Sequence, residues 1–296
     1  MEEKMKIKAV VGALVSVFIV LGFVLFRTLS ITTESVLIYP LIYFKNFVSI
    51  SASTGASEAI LSSITGPMFF FIPLIPITFA FCVLIYYGIN FGEDRKFGAL
   101  ACLIPSVIGL IIAGPSITFV LFSVGLVISG FLVTPMSVMY LEELKKWRKY
   151  RIGAKTISKC FFLLNLMIFF GFLISVFFGL GYYNELYVNE TKSVVISLIP
   201  EIGGGEMPQM EGFELLPEEQ QQEIEEEYSK LTEAQKEEVK NRIEGMFETS
   251  SIPILINFSI FFMPVMVFAL LELFRVIILV PLAGLVTKLT LSQVKN

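Results

Sequence analysis

The 296-residue chain is 55% hydrophobic and 16% charged, with 29 Phe and no His, where a soluble domain carries about 45–50% apolar and about 25% charged residues. That balance predicts an integral membrane protein, and the missing histidine excludes His-dependent serine or cysteine triads and helix-borne zinc sites. The net charge of −4 conceals a partition: residues 184–251 hold 17 Glu against 5 Lys/Arg, so the remainder of the chain is positive.

Lys4, Lys6 and Lys8 form a basic head ahead of an uncharged run ended by Arg27. Residues 9–27 are expected to be a retained first span, because the run exceeds the roughly 7–15 apolar residues of a signal peptide. Ser35–Phe44 is too short to span and contains Pro40, so an outer interfacial segment is expected, with Tyr39 and Tyr43 at the headgroup level. Ser49–Thr65 reads as a solvated polar loop, with a re-entrant segment as the sharper alternative.

The second span is expected at residues 68–88, kinked where Pro73 and Pro76 remove backbone donors. Phe97–Leu141 is uncharged throughout and, as one helix, would be about 67 Å long at about 1.5 Å per residue, so it must fold back. Gly114-Pro115 supplies the break. The third and fourth spans are thus predicted at 97–113 and 116–140.

Leu141–Cys160 orients the chain. It carries Lys145, Lys146, Arg148, Lys149, Arg151, Lys155 and Lys159 against Glu142 and Glu143, and short loops this basic stay cytoplasmic. Anionic lipid headgroups are the partner expected for Lys145, Lys146, Arg148, Lys149 and Arg151; nucleic acid is not. Cys160 is placed at the end of this loop, facing the cytoplasm. The fifth span is expected at 160–183.

Small residues at four-residue spacing predict close helix packing: Gly171, Ser175 and Gly179 on the fifth span, Gly125 with Ser129 on the fourth, and Gly12 with Ser16 on the first.

Residues 184–251 are expected to form an acidic, mostly helical extracytoplasmic domain. Within it Gly203-Gly204-Gly205 is a flexible stretch, and 217–248 reads as a helical pair. Thr232 starts the second of these helices through a capping box with Gln235. Ile224, Tyr228, Val239, Ile243 and Phe247 lie on the apolar stripes of the pair and form the candidate partner-binding surface. Asn189-Glu-Thr191 matches the glycosylation acceptor pattern.

Residues 252–296 are read as a sixth span to about Leu271 plus a cytoplasmic segment. Glu272 and Arg275, three apart on one helix face, are expected to form an ion pair at the inner interface. Val276–Thr287, with Pro281, reads as an inner interfacial helix or an extension of the span.

The fold class expected is therefore an all-α polytopic membrane protein with six transmembrane helices, cytoplasmic termini, and the acidic domain between the fifth and sixth spans. No phosphate-binding glycine motif occurs, and Asp94 is the sole aspartate. No catalytic residue, cofactor or metal site is predicted. Two functions are weighed: a non-catalytic scaffold or accessory subunit in the cell membrane that docks a protein partner or a second copy, and a channel or uncoupled permease with Pro73, Pro76, Asn165 and Asn257 along its path.

Overall fold

The computed structural model describes residues 2–39, 69–144, 147–198 and 252–292, together with Asn241 and Gly245. These residues are all-helical, with no strand among them, and six helices are long and apolar enough to cross a membrane. The predicted segments 49–65, 199–240 and 246–251, and with them Lys145, Lys146, Ile224, Tyr228, Val239, Ile243 and Phe247, lie outside the described residues.

The chain divides into two compact units. The larger comprises residues 1–36, 68–178 and 263–296. It contains α1 (Glu2–Thr28), α3 (Leu74–Phe91), α4 (Arg95–Ala113), α5 (Ile117–Glu143), α6 (Arg148–Phe178), the second half of α8 (Ile252–Phe274), and α9 (Val280–Ser292). Residues 33–39 form a short helix, α2. It opens on a reciprocal cap in which Thr32 and Ser35 each donate a backbone N–H to the other's hydroxyl, at 2.8 and 3.1 Å.

Helix α3 is the centre of this unit. It packs on α1, α5, α6 and α9, and those helices continue as a wall in which α1 meets α4, α4 meets α5, α5 meets α6, and α6 meets α9. The reason lies in its composition. Leu74, Ile77, Phe81, Leu84, Ile85 and Tyr87 point in several directions and all are buried, as expected of a helix that is apolar all round. Glycines set the closest approaches. A Cβ at Gly98 of α4 would strike the carbonyl of Gly130 on α5, and one at Gly109 would enter the Phe23 ring.

Several boundaries differ from the sequence reading. Pro73 is the residue before α3 and Pro76 lies in its first turn, beyond a 3₁₀ turn at Phe69–Phe71. Their missing donors fall where a helix has no acceptor to lose, so neither kinks a span. The prolines well inside helices are instead Pro105, Pro135 and Pro264, together with Pro281 of the continuous sixth helix. The break at Gly114 is where it was expected: Gly114 has φ +91°, and the Ser116 hydroxyl caps α5 by accepting from Phe119 N–H at 3.2 Å.

The basic stretch is not a loop over its whole length. Helix α6 starts at Arg148, so Arg148–Lys159 forms its first three turns, and it ends at Phe178, short of the predicted Tyr183. Cys160 is consequently buried inside the bundle, contrary to the exposed position expected of it. Its carbonyl accepts from Ser129 Oγ at 3.1 Å.

Val276–Thr287 is an extension of the sixth helix. Arg275–Leu279 is a π-helical turn that joins α8 to α9 without a break. The pattern of burial explains the turn. Buried positions include Leu271 and Phe274, then jump five residues to Leu279 and recur at Ala283, Thr287 and Leu291. One extra residue in the turn re-aims the buried face, and π-turns act in this way inside α-helices.

The second unit comprises residues 37–67 and 179–262. Its described part contains α7 (Leu180–Leu198), which runs through Asn184 without interruption, so the predicted start of the acidic domain falls inside a helix. Tyr187 of α7 is buried, and its hydroxyl donates to the Leu37 carbonyl.

Candidate functional site: a charged cluster inside the bundle

Glu272 and Arg275 are one helical turn apart at the junction of α8 and the π-turn, and they form an ion pair. Arg275 Nε donates to Glu272 Oε2 at 3.0 Å, and Nη2 donates to the same oxygen. Nη1 turns to α6, donating to the Ser158 carbonyl at 2.8 Å and to Ser158 Oγ at 2.6 Å. The guanidinium also lies 5.8 Å from the centre of the Phe162 ring, within cation–π range. Glu272 Oε1 accepts from Asn165 Nδ2 at 2.8 Å. Both carboxylate oxygens and both faces of the pair are therefore engaged, and the side chains of Arg275 and Glu272 are only 13% and 20% exposed.

The height of this cluster along the bundle follows from its neighbours. Ser158 is two residues from Cys160, which meets Ser129 at the midpoint of α5, and Phe161 packs edge-on against Phe81 near the midpoint of α3, with ring centroids 5.6 Å apart. The pair stands midway along the bundle. Ionisable groups at that depth are costly in hydrocarbon unless paired and hydrogen-bonded, and each partner here is. Asn165 is 1% exposed, and its Oδ1 has no hydrogen-bond partner among the described residues.

Of the small residues singled out by spacing, Gly125, Ser129, Gly171 and Ser175 lie at the α5–α6 seam, while a Cβ at Gly12 would meet the Phe97 ring of α4 at 3.8 Å. A Cβ at Gly125 would come to 3.0 Å from Leu164 Cδ1, and one at Gly171 to 2.7 Å from Thr118 Cα. Thr118 Oγ1 lies 3.3 Å from Ser175 Oγ and 3.1 Å from Thr33 Oγ1, so a chain of hydroxyls ties α2, α5 and α6 together. Gly179 is the turn residue between α6 and α7.

A second ion pair had no signal in the sequence. Lys8 Nζ donates to Asp94 Oδ2 at 2.6 Å across 86 positions, while Asp94 Oδ1 caps α4 by accepting from Phe97 N–H at 3.0 Å. Burial pushes the Asp94 carboxyl upward, but the hydrogen bonds from Lys8 and Phe97 and the nearby Lys charges outweigh it, so the group titrates below its ordinary value. Lys149 Nζ donates to the Leu291 carbonyl at 2.9 Å, fastening the start of α6 to the end of α9. Of the basic residues assigned to lipid headgroups, Arg148 and Arg151 are exposed and Lys149 is half-buried in this contact.

Among the described residues no cluster of three or more His, Cys, Asp or Glu could hold a metal ion. No protein family, curated protein or solved structure matches the chain.

Proposed function

We propose that the protein is a non-catalytic scaffold or accessory subunit of the cell membrane. In this reading the termini are cytoplasmic, residues 184–251 are extracytoplasmic, and that acidic segment docks a protein partner through Ile224, Tyr228, Val239, Ile243 and Phe247. One observation carries the preference. The axis of the larger unit, where a conduit would run, is occupied by α3, most of whose side chains are buried and which packs on α1, α5, α6 and α9. Beside it the Phe23, Phe26, Phe119 and Phe122 rings pack at centroid distances of 5.4–6.4 Å. A bundle filled in this way suits a platform better than a path. Copurification from mild detergent tests the reading. The wild type should bring down a stable partner, and replacing Tyr228 and Ile243 by Glu should release it, since charge at a packed contact costs several kcal/mol, roughly, enough to abolish a weak association. Wild-type protein that copurifies with nothing and conducts a solute would overturn it.

The second reading, a channel or uncoupled permease, is favoured by the Glu272–Arg275–Asn165 cluster, because ionisable groups inside a membrane bundle commonly mark a pathway. It requires solute flux in proteoliposomes that changes when Asn165 is replaced by Leu.

Orientation is tested with engineered cysteines at Gly204 and Lys288, since the native Cys82, Cys102 and Cys160 are all buried. An impermeant thiol reagent on intact cells should label position 204 and leave 288 unlabelled. The reverse pattern inverts the topology.

A further inference from the structure

The wall around α3 is incomplete between α1 and α9, and the opening is a groove of about 860 Å³, within the range of about 300–1,000 Å³ typical of ligand sites. Its floor is the face of α3 that bears Phe79, Val83 and Tyr86; α1 forms one wall, and Val286 and Thr290 of α9 stand on the other. Polarity is segregated along its length. Glu3, Lys6 and Thr290 collect at one end, and from Ile7 to Phe18 the α1 wall is apolar.

That apolar stretch rises about 16 Å at about 1.5 Å per residue, close to half of a hydrocarbon core roughly 30 Å thick. At its far end the Phe18 and Phe79 rings stack, centroids 5.8 Å apart, and tie α1 to α3. The groove thus stops where the acyl chain of one leaflet stops. A helix from a partner or a second copy would need it to continue across the whole bilayer. Both rims belong to helices with exposed apolar side chains, Val10 and Leu14 on α1 and Leu285 and Leu289 on α9, so the mouth opens onto lipid tails rather than water.

We infer that this groove is a binding site for one membrane phospholipid, drawn from the leaflet at the amino-terminal end of α1, with its acyl chain along α3 and its phosphate at Lys6. At the polar end Lys6 stands beside Glu3, so both signs of charge face a headgroup there, and Thr290 supplies a hydroxyl to the headgroup or glycerol region.

The test uses the full-length protein reconstituted in vesicles of equal parts phosphatidylcholine and phosphatidylglycerol. After detergent extraction and washing, native mass spectrometry should find one phospholipid retained per wild-type chain. Val83→Trp, which fills the groove floor, should lose it, Lys6→Gln should retain it at least several-fold less often, and Val17→Trp on the exposed side of α1 should keep it. A phosphatidylcholine carrying a photoreactive group at the end of its acyl chain should, in the wild type, label peptides around Phe18 and Phe79. This second measurement decides the matter even if Val83→Trp does not fold. Washed wild type free of lipid, retention unchanged in Val83→Trp, labelling spread evenly over exposed apolar positions, or a dimer that Val83→Trp dissociates would each overturn the assignment, the last in favour of a second copy.

Discussion

Asn165 and Glu272 are 107 positions apart in the chain, yet the Asn165 amide donates to the Glu272 carboxylate at 2.8 Å inside the bundle. Through this bond, and through the reach of Arg275 to Ser158, helix α6 grips the sixth helix at the turn where its buried face is re-aimed. The charges and the π-turn form one joint: the guanidinium and the carboxylate hold the segment, and the extra residue lets α9 continue against α6 and α3.

Breaking the joint by halves should cost more than removing it. Glu272→Gln leaves Arg275 buried without its counter-charge, and losses of about 3–5 kcal/mol follow when one member of a buried pair is removed. Asn165→Ala removes a single donor to a charged group and should cost about 1–3 kcal/mol. The double variant Glu272→Leu/Arg275→Met should melt closer to wild type than either Glu272→Leu or Arg275→Met alone. Thermal unfolding in detergent reads all of these, and additive losses in the double variant would show that the two side chains act independently.

The π-turn should tolerate a deletion that the α-helix beyond it does not. Removing the exposed Ile277 converts the five-residue step from Phe274 to Leu279 into an ordinary four-residue step and keeps Ala283, Thr287 and Leu291 facing inward. Removing Leu285 instead rotates the remainder of α9 by about 100° and turns Thr287 and Leu291 out of the bundle. Deletion of Ile277 should therefore leave a monodisperse protein, and deletion of Leu285 should not. Equal behaviour of the two would mean that the turn does not set the register of α9.

The α4–α5 contact depends on absent side chains. Gly98→Ala or Gly130→Ala forces a methyl against the opposite backbone, since Gly130 O and Gly98 O stand directly opposite, and overpacking of this kind costs about 1–3 kcal/mol. Gly181→Ala in α7, where a Cβ meets nothing within 4 Å, should instead be neutral or raise stability by up to about 1 kcal/mol through its helical preference. Comparing the three melting temperatures separates the packing effect from propensity.

Asp94 makes stability depend on acid. Its folded carboxyl titrates below the usual value of about 3.9, so its contribution is fully present above that value and is lost as pH falls through the lower folded value. Asp94→Asn, which keeps an oxygen to cap Phe97 N–H but gives up the charge facing Lys8, should lower stability at neutral pH and flatten its decline on acidification. Parallel acid profiles for variant and wild type would show that the Lys8 contact is energetically silent.

What the linear chain determined was the class of structure and the places where it turns. Six apolar helices follow from the uncharged runs, and the α4–α5 turn falls at Gly114 because glycine at positive φ and a serine cap are local chemistry. The small residues Gly125, Ser129, Gly171 and Ser175 were legible as packing positions because their spacing alone makes a strip on one helix face. Helix starts were less legible: hydropathy marks where charge begins, and Arg148–Lys159 is charged yet helical, so the start of α6 was missed. Tertiary structure alone decided that α3 is central, that Lys8 meets Asp94, that Asn165 meets Glu272, and that one π-turn re-aims the end of the chain. The physical reason is that lipid-facing and helix-facing apolar residues are alike in composition. Which face is buried, and which distant polar group it brings into reach, is set by shape and register between helices, and these have no period in the sequence.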